Sequence, residues 1–207
     1  RNIPLTADST EIMYQCSLCG ACANDCATGY DPRVFTREAR TNAVVNGFIP
    51  EHIQQVIARA YKGSLNGQGI CTQVDKAVRE LPAQAPVLLY LGDSARSKGD
   101  SALAVMELLK KAGISYTVME NEPDCGAHLG DLIGYVDEVR QMAVRCFDAM
   151  KKTRATTLVV LDPSYMSFIR HQCAKWEILP EFFVVTATSY CAQLIKDGKL
   201  CPKQMGG

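Results

Sequence analysis

The sequence predicts an α+β fold in two parts, a small helical module that carries a cysteine cluster and an α/β domain built on a parallel sheet. Three observations lead to this prediction. Four cysteines lie close together near the amino end, residues 81–86 have the composition of a linker, and apolar strands alternate with helices from there on. We expect the helical module to span residues 1–80 and the α/β domain to span residues 86–200.

The cysteine cluster is the strongest signal in the sequence. Residues 1–15 have few apolar residues at helical spacing, so we expect an extended arm there. The run that follows holds Cys16, Cys19, Cys22 and Cys26. Their C-x₂-C-x₂-C-x₃-C spacing is the one used to hold an iron–sulfur cluster, and Gly20 would let the main chain approach it. Soft thiolates favour such clusters or zinc over hard cations, so a zinc site and a chance cluster of buried cysteines are the alternatives.

Two helices are predicted after this run. Asp31-Pro32 is typical of a helix start, and this helix is expected to end near Asn46. A second helix is expected over residues 51–62, where apolar residues recur at helical spacing, and a glycine-rich stretch ends it before Cys71. Two short helices beside cysteine loops describe a small ferredoxin-like unit.

Strands and helices are expected to alternate in the second part. The expected strands are residues 87–91, 116–119, 157–161 and 182–186. The expected helices are residues 97–111, 129–152, 165–175 and 190–196. This alternation predicts a Rossmann-like parallel sheet covered on both faces, with functional groups in the loops just past the carboxyl ends of the strands.

Composition excludes several classes of function. The 207 residues carry no net charge, so no basic surface for nucleic acid is expected, and no glycine-rich phosphate motif supports nucleotide binding. The apolar runs are far too short to cross a membrane, and no signal peptide pattern is present. The clustered cysteines suit a metal better than disulfides, which favours a reducing cytoplasm.

Three further stretches carry a resemblance to a known family. Residues 108–114 and 194–200 look like its recurrent helix ends, and Asp124-Cys125-Gly126 falls where its CCG triplet is expected. With the cysteine run, they make residues 10–200 resemble the cysteine-rich iron–sulfur subunits of the heterodisulfide reductase D type. The resemblance implies a helical ferredoxin-like cluster module followed by an α/β domain of the CCG type.

The family's second cluster motif is degenerate in this chain. The run Cys71-x₂-Val74-x₂-Ala77-x₃-Leu81-Pro82 keeps the frame, the first cysteine and the final proline, but apolar residues stand at three ligand positions. The first motif also departs, since Ala27 stands where the family has proline. The resemblance therefore implies one 4Fe–4S cluster, with a 3Fe–4S core or zinc as alternatives. The expected ligands are Cys16, Cys19, Cys22 and Cys26, with Cys71 as the alternative fourth ligand.

The family's CCG site is degenerate as well. The places that correspond to its ligands are Asp93, Asp124, Cys125, Asp162 and Tyr165. Carboxylates are poor ligands for an iron–sulfide core, so we expect the family's disulfide-reducing centre and its catalytic residues to be absent. The three aspartates could meet around Mg²⁺ or Ca²⁺, but capping of the following helices by Asp93 and Asp162 explains them more simply.

The function expected from these features is electron transfer within a multi-subunit redox complex, through one 4Fe–4S cluster. Ile12, Leu18 and Val34 are expected to shield that cluster. The resemblance implies a flavoprotein, another iron–sulfur subunit or a membrane cytochrome b subunit as partner, with any membrane association made through those subunits. The alternative is a structural or docking subunit with zinc or no metal at the cysteine loop.

Overall fold

The computed structural model describes residues 6–61, 69–178 and 181–202. By their contacts, residues 6–61 and 126–140 form a helical unit, and the remaining described residues form a second unit around a sheet. Residues 69–80 thus group with the sheet and residues 126–140 with the amino-terminal helices, which differs from the division expected from the sequence at both places.

The described residues form helices and strands with the following bounds. The helices are α1 Ala7–Tyr14, α2 Ala21–Asn24, α3 Pro32–Val45, α4 Glu51–Tyr61, α5 Thr72–Arg79, α6 Asp93–Lys98, α7 Asp100–Lys111, α8 Ala127–Ile133, α9 Asp137–Lys151, α10 Pro163–Ser167 and α11 Ala187–Lys196. The strands are β1 Val87–Tyr90, β2 Tyr116–Thr117, β3 Thr157–Val160 and β4 Phe183–Thr186. A π-helical stretch, Phe168–Cys173, continues α10.

The expectation of an extended arm over residues 1–15 is wrong for the part that the structure describes, because residues 7–14 form α1. Residues 1–5 lie outside the described residues. The hydroxyl of Thr6 accepts from the Ser9 N–H at 3.2 Å, and the Ser9 hydroxyl accepts from the Thr6 N–H at 2.8 Å. This reciprocal cap, together with a hydrogen bond from Thr10 to the Phe48 carbonyl at 2.5 Å, stabilises a helix whose apolar pattern is weak.

The two helices predicted after the cysteine run are confirmed. Asp31 caps α3 by accepting from the Arg33 N–H at 3.0 Å, and Pro32 takes the first helical position. The second helix, α4, ends at Tyr61 among the described residues, and Lys62 lies outside them. Helix α8 packs against α3 and α4 and completes the helical unit.

The sheet unit has an all-parallel sheet with the strand order β2-β1-β3-β4, as expected for an α/β domain. All four residues of β1 are buried, and three of β3. The chain leaves β1 toward one side of the sheet to form β2 and returns on the other side to form β3. The carboxyl ends of β1 and β3 therefore border the topological switch point, where ligands bind in folds of this class.

Two predicted helices of the sheet part are each broken by a glycine. Gly99, with φ of +88°, separates α6 from α7, so one continuous helix over residues 97–111 is wrong. Gly134, with φ of +90°, separates α8 from α9, so the long helix over residues 129–152 is wrong as well. Left-handed backbone at these positions ends a right-handed helix regardless of the apolar pattern around it.

Candidate metal centre

The cysteine loop lies in the helical unit between α1 and α3, and it turns sharply twice. Leu18 has φ of +55° and is buried, and Gly20 has φ of +82°. Two residues with left-handed backbone within three positions bend the main chain tightly. An L-residue such as Leu18 adopts this backbone conformation only at a cost in free energy. The buried Leu18 side chain anchors the loop at its centre.

The four cysteines of this loop are accessible, because Cys16, Cys19 and Cys22 are exposed and Cys26 is partly exposed. The Cys26 sulfur lies 3.2 Å from the Thr28 hydroxyl, and hydrogen bonding to Thr28 lowers the pKa of Cys26. A hydrogen bond from the Ala21 main chain, followed by one from Ser17, lowers the pKa of Cys19. The thiolate is the form that binds metal, so both surroundings favour the ligand form.

Arg40 of α3 ties the cysteine loop to its neighbours. Its side chain is buried and donates from Nη2 to the Cys16 carbonyl at 2.6 Å and to the Met13 carbonyl at 2.8 Å. From Nη1 it donates to the Asp131 carbonyl at 2.6 Å. The guanidinium also lies over the Tyr14 ring, 4.9 Å from its centre. These contacts hold the start of the loop against α1, α3 and α8.

Arg33, two turns earlier on the same helix, lies against the other part of the loop. It forms an ion pair with Asp31 at 2.8 Å, which holds the pKa of that carboxyl at about 2. Its Nη1 lies 2.7 Å from where a Cβ on Gly20 would be. Electrostatic attraction links Arg33 to Cys19 and Cys22, and Arg40 to Cys16. Arg33 and Arg40 therefore place positive charge near three of the four thiols, which favours an anionic group there.

The residues present fit an iron–sulfur cluster by donor chemistry and by their spacing along the chain. Four soft thiols follow one another at the required spacing, and two of them have lowered pKa values. Within the described ranges, no three histidine, cysteine or carboxylate side chains are gathered closely enough to hold a single metal ion.

The predicted shielding residues differ in burial. Leu18 is buried, whereas Ile12 and Val34 expose about half of their surface or more. Only Leu18 is therefore enclosed by this chain itself.

Cys71, the alternative fourth ligand, lies in the sheet unit. It precedes α5, its N–H donates to the Arg96 carbonyl at 2.9 Å, and its sulfur lies 2.7 Å from where a Cβ on Gly99 would be. The apolar residues at the other positions of the degenerate motif pack in or against the core of this unit, and they are Val74, Ala77 and Leu81. The residues of the degenerate second motif thus contribute to the hydrophobic core of the sheet unit.

At the strand ends, the capping prediction is half right. The Asp162 carboxylate accepts from the Ser164 N–H at 2.8 Å and caps α10, as expected. Asp93 is instead the first residue of α6, and Gly92 takes the capping position. Cys125 and Tyr165 are buried in this region.

Glu122, which no sequence motif marked, lies at the same edge of the sheet. Part of the residue reaches the surface, but its carboxylate is enclosed and accepts from the N–H groups of Leu91 at 3.0 Å and Gly92 at 2.6 Å. Burial raises the pKa of Glu122 to about 7, against the lowering effect of these two hydrogen bonds and of Arg96. A lone acidic residue in a loop gives no periodicity or spacing from which this role could be read.

Two tyrosines close the space beside Glu122. The Tyr90 hydroxyl donates to the Pro123 carbonyl at 2.9 Å and accepts from the Cys125 N–H at 3.2 Å. The Tyr165 ring meets Tyr90 edge to face, with centres 5.0 Å apart. The Cys146 thiol donates to the same Pro123 carbonyl at 3.3 Å, and burial raises its pKa. Tyr90, Cys125, Cys146 and Tyr165 are thus packed or hydrogen-bonded within this chain, while Asp162 and Tyr165 also line a cavity of about 260 Å³ beside Gly92.

Fold and site together define a cysteine-rich α+β protein with an accessible thiol loop in a helical unit and a parallel sheet in a second unit. The chain is similar to the D subunit of the dihydromethanophenazine:CoB–CoM heterodisulfide reductase of Methanosarcina acetivorans. The two are 26% identical over 202 residues, which cover 91% of this chain and 48% of that protein. The chain therefore spans about half the length of the relative. This distant similarity agrees with the family expected from the sequence.

No protein-family model matches the chain, and no solved structure matches it. Among the described helices, none combines the length and the apolar character needed to cross a bilayer.

Proposed function

We propose that this chain is a subunit of a multi-subunit redox complex and relays electrons through one 4Fe–4S cluster. The proposed ligands are Cys16, Cys19, Cys22 and Cys26. The observation that carries the proposal is the C-x₂-C-x₂-C-x₃-C spacing of accessible thiols in a loop with left-handed turns at Leu18 and Gly20. In the proposal, the helical unit is a ferredoxin-like module that keeps one of two cluster sites.

The surroundings of the loop support this role. A bound cluster supplies one-electron oxidation and reduction, while the protein sets the cluster's environment. Arg33 and Arg40 place positive charge near the thiols, and the hydrogen bonds to Cys19 and Cys26 favour their thiolates. The exposed cysteines leave the site within reach of a partner subunit.

The sheet unit is proposed to act as a scaffold or docking surface without disulfide chemistry. Of the five places that correspond to the CCG ligands, only Cys125 offers a thiol, and it is buried. The side chains of Glu122, Tyr90 and Tyr165 in the same region are hydrogen-bonded or packed within this chain. Hard carboxylates and phenols are poor ligands for an iron–sulfide core.

The name of the similar protein supports a place in a complex of the heterodisulfide reductase kind. The partner proposed is a flavoprotein, another iron–sulfur subunit or a membrane cytochrome b subunit, and the location proposed is cytoplasmic with membrane association through such partners.

A structural subunit with zinc or no metal at the cysteine loop is the second candidate. The environment of Cys71 favours this candidate. Cys71 is the only cysteine left in the second motif, and it packs against Gly99, which is a structural role and not that of a metal ligand.

Redox spectroscopy on anaerobically purified protein distinguishes the two candidates. We expect a brown protein whose visible absorption bleaches on reduction and whose reduced form gives the paramagnetic resonance of a one-electron-reduced cluster. A colourless protein that contains zinc would support the structural candidate and remove electron transfer from this chain. The spectra should be recorded with the four cysteines intact and again with Cys22→Ser, which should abolish both signals.

A further inference from the structure

A buried arginine in the helical unit forms no ion pair with a carboxylate among the residues that the structure describes. Arg40 is 4% exposed, and its donors are directed to the carbonyls of Met13, Cys16 and Asp131. The Asp131 carboxylate instead accepts from Arg37 and from the Tyr135 hydroxyl. Within the described part of the chain, no carboxylate forms an ion pair with Arg40.

This arrangement leaves a positive charge to be balanced. Burying a charge costs free energy unless hydrogen bonds and an opposite charge compensate it. Three carbonyls and the Tyr14 ring supply dipoles and a quadrupole, and the Asp131 carboxylate attracts Arg40 without forming an ion pair with it. The cysteine loop offers a group that can carry negative charge, since Arg40 interacts electrostatically with Cys16 and bonds its carbonyl at 2.6 Å. A metal centre held by several thiolates is anionic as a whole.

We propose that Arg40 is a positioning residue for the metal centre: it holds the main chain at Cys16 in place, and the bound centre adds negative charge beside its guanidinium. The inference rests on the proposed function. It assigns Arg40 two separable effects. The hydrogen bond to Cys16 preorganises the loop before any metal binds, and the charge stabilises the more negative, reduced state of the centre.

The matched control lies one turn away on the same helix. Arg37 has the same chemistry, but its hydrogen bonds go to the Asp131 carboxylate on α8, at 3.3 Å. Arg40→Lys keeps the charge and loses the planar fork that reaches three carbonyls, whereas Arg40→Gln loses both. Arg37→Lys and Arg37→Gln make the same chemical changes at a residue that bonds the Asp131 carboxylate and not the Cys16 carbonyl.

The first experiment uses the metal-free, reduced protein and measures main-chain hydrogen exchange over residues 16–20. Arg40→Lys should speed exchange there by about tenfold, since charged hydrogen bonds are lost, while Arg37→Lys should leave it within about twofold of the unsubstituted protein. Equal exchange in the two lysine variants would overturn the inference, whether or not the protein binds a cluster.

The second experiment uses protein loaded anaerobically with iron and sulfide. Iron release to a chelator should be about tenfold faster in Arg40→Lys than in Arg37→Lys. Reduction of Arg40→Gln should be less favourable by about tenfold, which is about 59 mV for one electron. An unchanged midpoint potential and release rate in both Arg40 variants would overturn the inference.

The two proposals fail separately. If the unsubstituted protein takes up no cluster, the proposed function fails, and the exchange measurement still decides the role of Arg40. If it takes up a cluster that the Arg40 variants hold equally well at the same potential, only the inference about Arg40 fails. Should Arg40→Gln not fold, Arg40→Lys still carries the hydrogen-exchange and iron-release measurements, since it keeps the buried charge.

Discussion

The carboxyl group of Glu122 accepts a hydrogen bond from the main-chain N–H of Gly92 at 2.6 Å, so the loop after β1 is bound by an acidic side chain of its own chain. The N–H of Leu91 donates to the same carboxylate at 3.0 Å. Main-chain donors at the end of a parallel strand are the groups that commonly receive a ligand in folds of this class. Here they are satisfied internally, which agrees with the proposal that the sheet unit has no redox centre.

Glu122 should make the stability of the protein depend on pH. Its pKa is raised from 4.5 to about 7 in the folded state, so the folded chain holds a proton that the unfolded chain releases between these values. This group contributes its full stabilisation below about pH 4.5, and the contribution is lost as the pH rises to about 7. The unfolding free energy should fall by at most roughly 3 kcal/mol over this range. Urea unfolding of the unsubstituted protein and of Glu122→Gln across this range measures the effect.

Glu122→Gln should not show this loss of stability. Its unfolding free energy should therefore rise relative to that of the unsubstituted protein as the pH increases from about 4.5 to about 7. Glu120→Gln is the matched control, because Glu120 lies in the same loop with an exposed side chain. It should keep the unsubstituted pH dependence. Parallel curves for Glu122→Gln and the unsubstituted protein would show that the carboxylate does not titrate in this range.

Gly20→Ala tests the contact between the cysteine loop and Arg33. A side chain at φ of +82° is strained by about 1–2 kcal/mol, and its Cβ would push against the Arg33 guanidinium. Gly29→Ala has the same kind of strain at φ of +69° but no atom within 4 Å. Both variants should therefore lose similar unfolding free energy, since Arg33 can move aside.

Only Gly20→Ala should lose affinity for iron and sulfide, by about tenfold, because it displaces the arginine beside Cys19 and Cys22. Anaerobic loading at limiting iron compares the two variants. Equal loading would mean that the position of Arg33 does not matter to the metal centre.

Gly99→Ala tests the packing role of Cys71. The added Cβ would meet the Cys71 sulfur at 2.7 Å within the sheet unit, at φ of +88°, so strain and overpacking should together cost about 2–5 kcal/mol. Gly113→Ala, with φ of +66° and open space, should cost only about 1–2 kcal/mol.

Adding Cys71→Ala to Gly99→Ala should recover part of that loss, as a double-mutant cycle on unfolding free energies would reveal. If the two substitutions were simply additive, the contact between these residues would not determine the cost.

The fourth ligand can be assigned by substitution. Cys26→Ser should prevent stable loading of the cluster, whereas Cys71→Ser should leave loading unchanged, because Cys71 packs in the sheet unit. Visible absorption after reconstitution reports both results. The opposite outcome would transfer the fourth position to Cys71 and leave the electron-transfer proposal standing.

Elements with a strong local signal could be predicted from the sequence. Asp31-Pro32 marks the start of α3, and the buried apolar run that forms β1 leads into a parallel sheet. Helix α1 could not be predicted, because a reciprocal cap at Thr6 and contacts to distant residues hold it rather than an apolar face. The breaks at Gly99 and Gly134 were missed because amphipathic helices often tolerate a single glycine.

The candidate site divides in the same way. The spacing of the four cysteines could be read directly, because it is set by the geometry of the group they bind. Arg40 could not be singled out, since an arginine on a helix is usually solvated, and only the fold directs it to the Cys16 carbonyl. Glu122 is likewise defined only when the fold brings it to the end of β1.

Iron and acid-labile sulfide analysis of anaerobically purified and reconstituted protein tests the central claim most directly. The account predicts about four iron and about four sulfide ions per chain, all lost when Cys16, Cys19 and Cys22 are replaced by serine. One zinc ion per chain, or no bound metal after reconstitution, would contradict it.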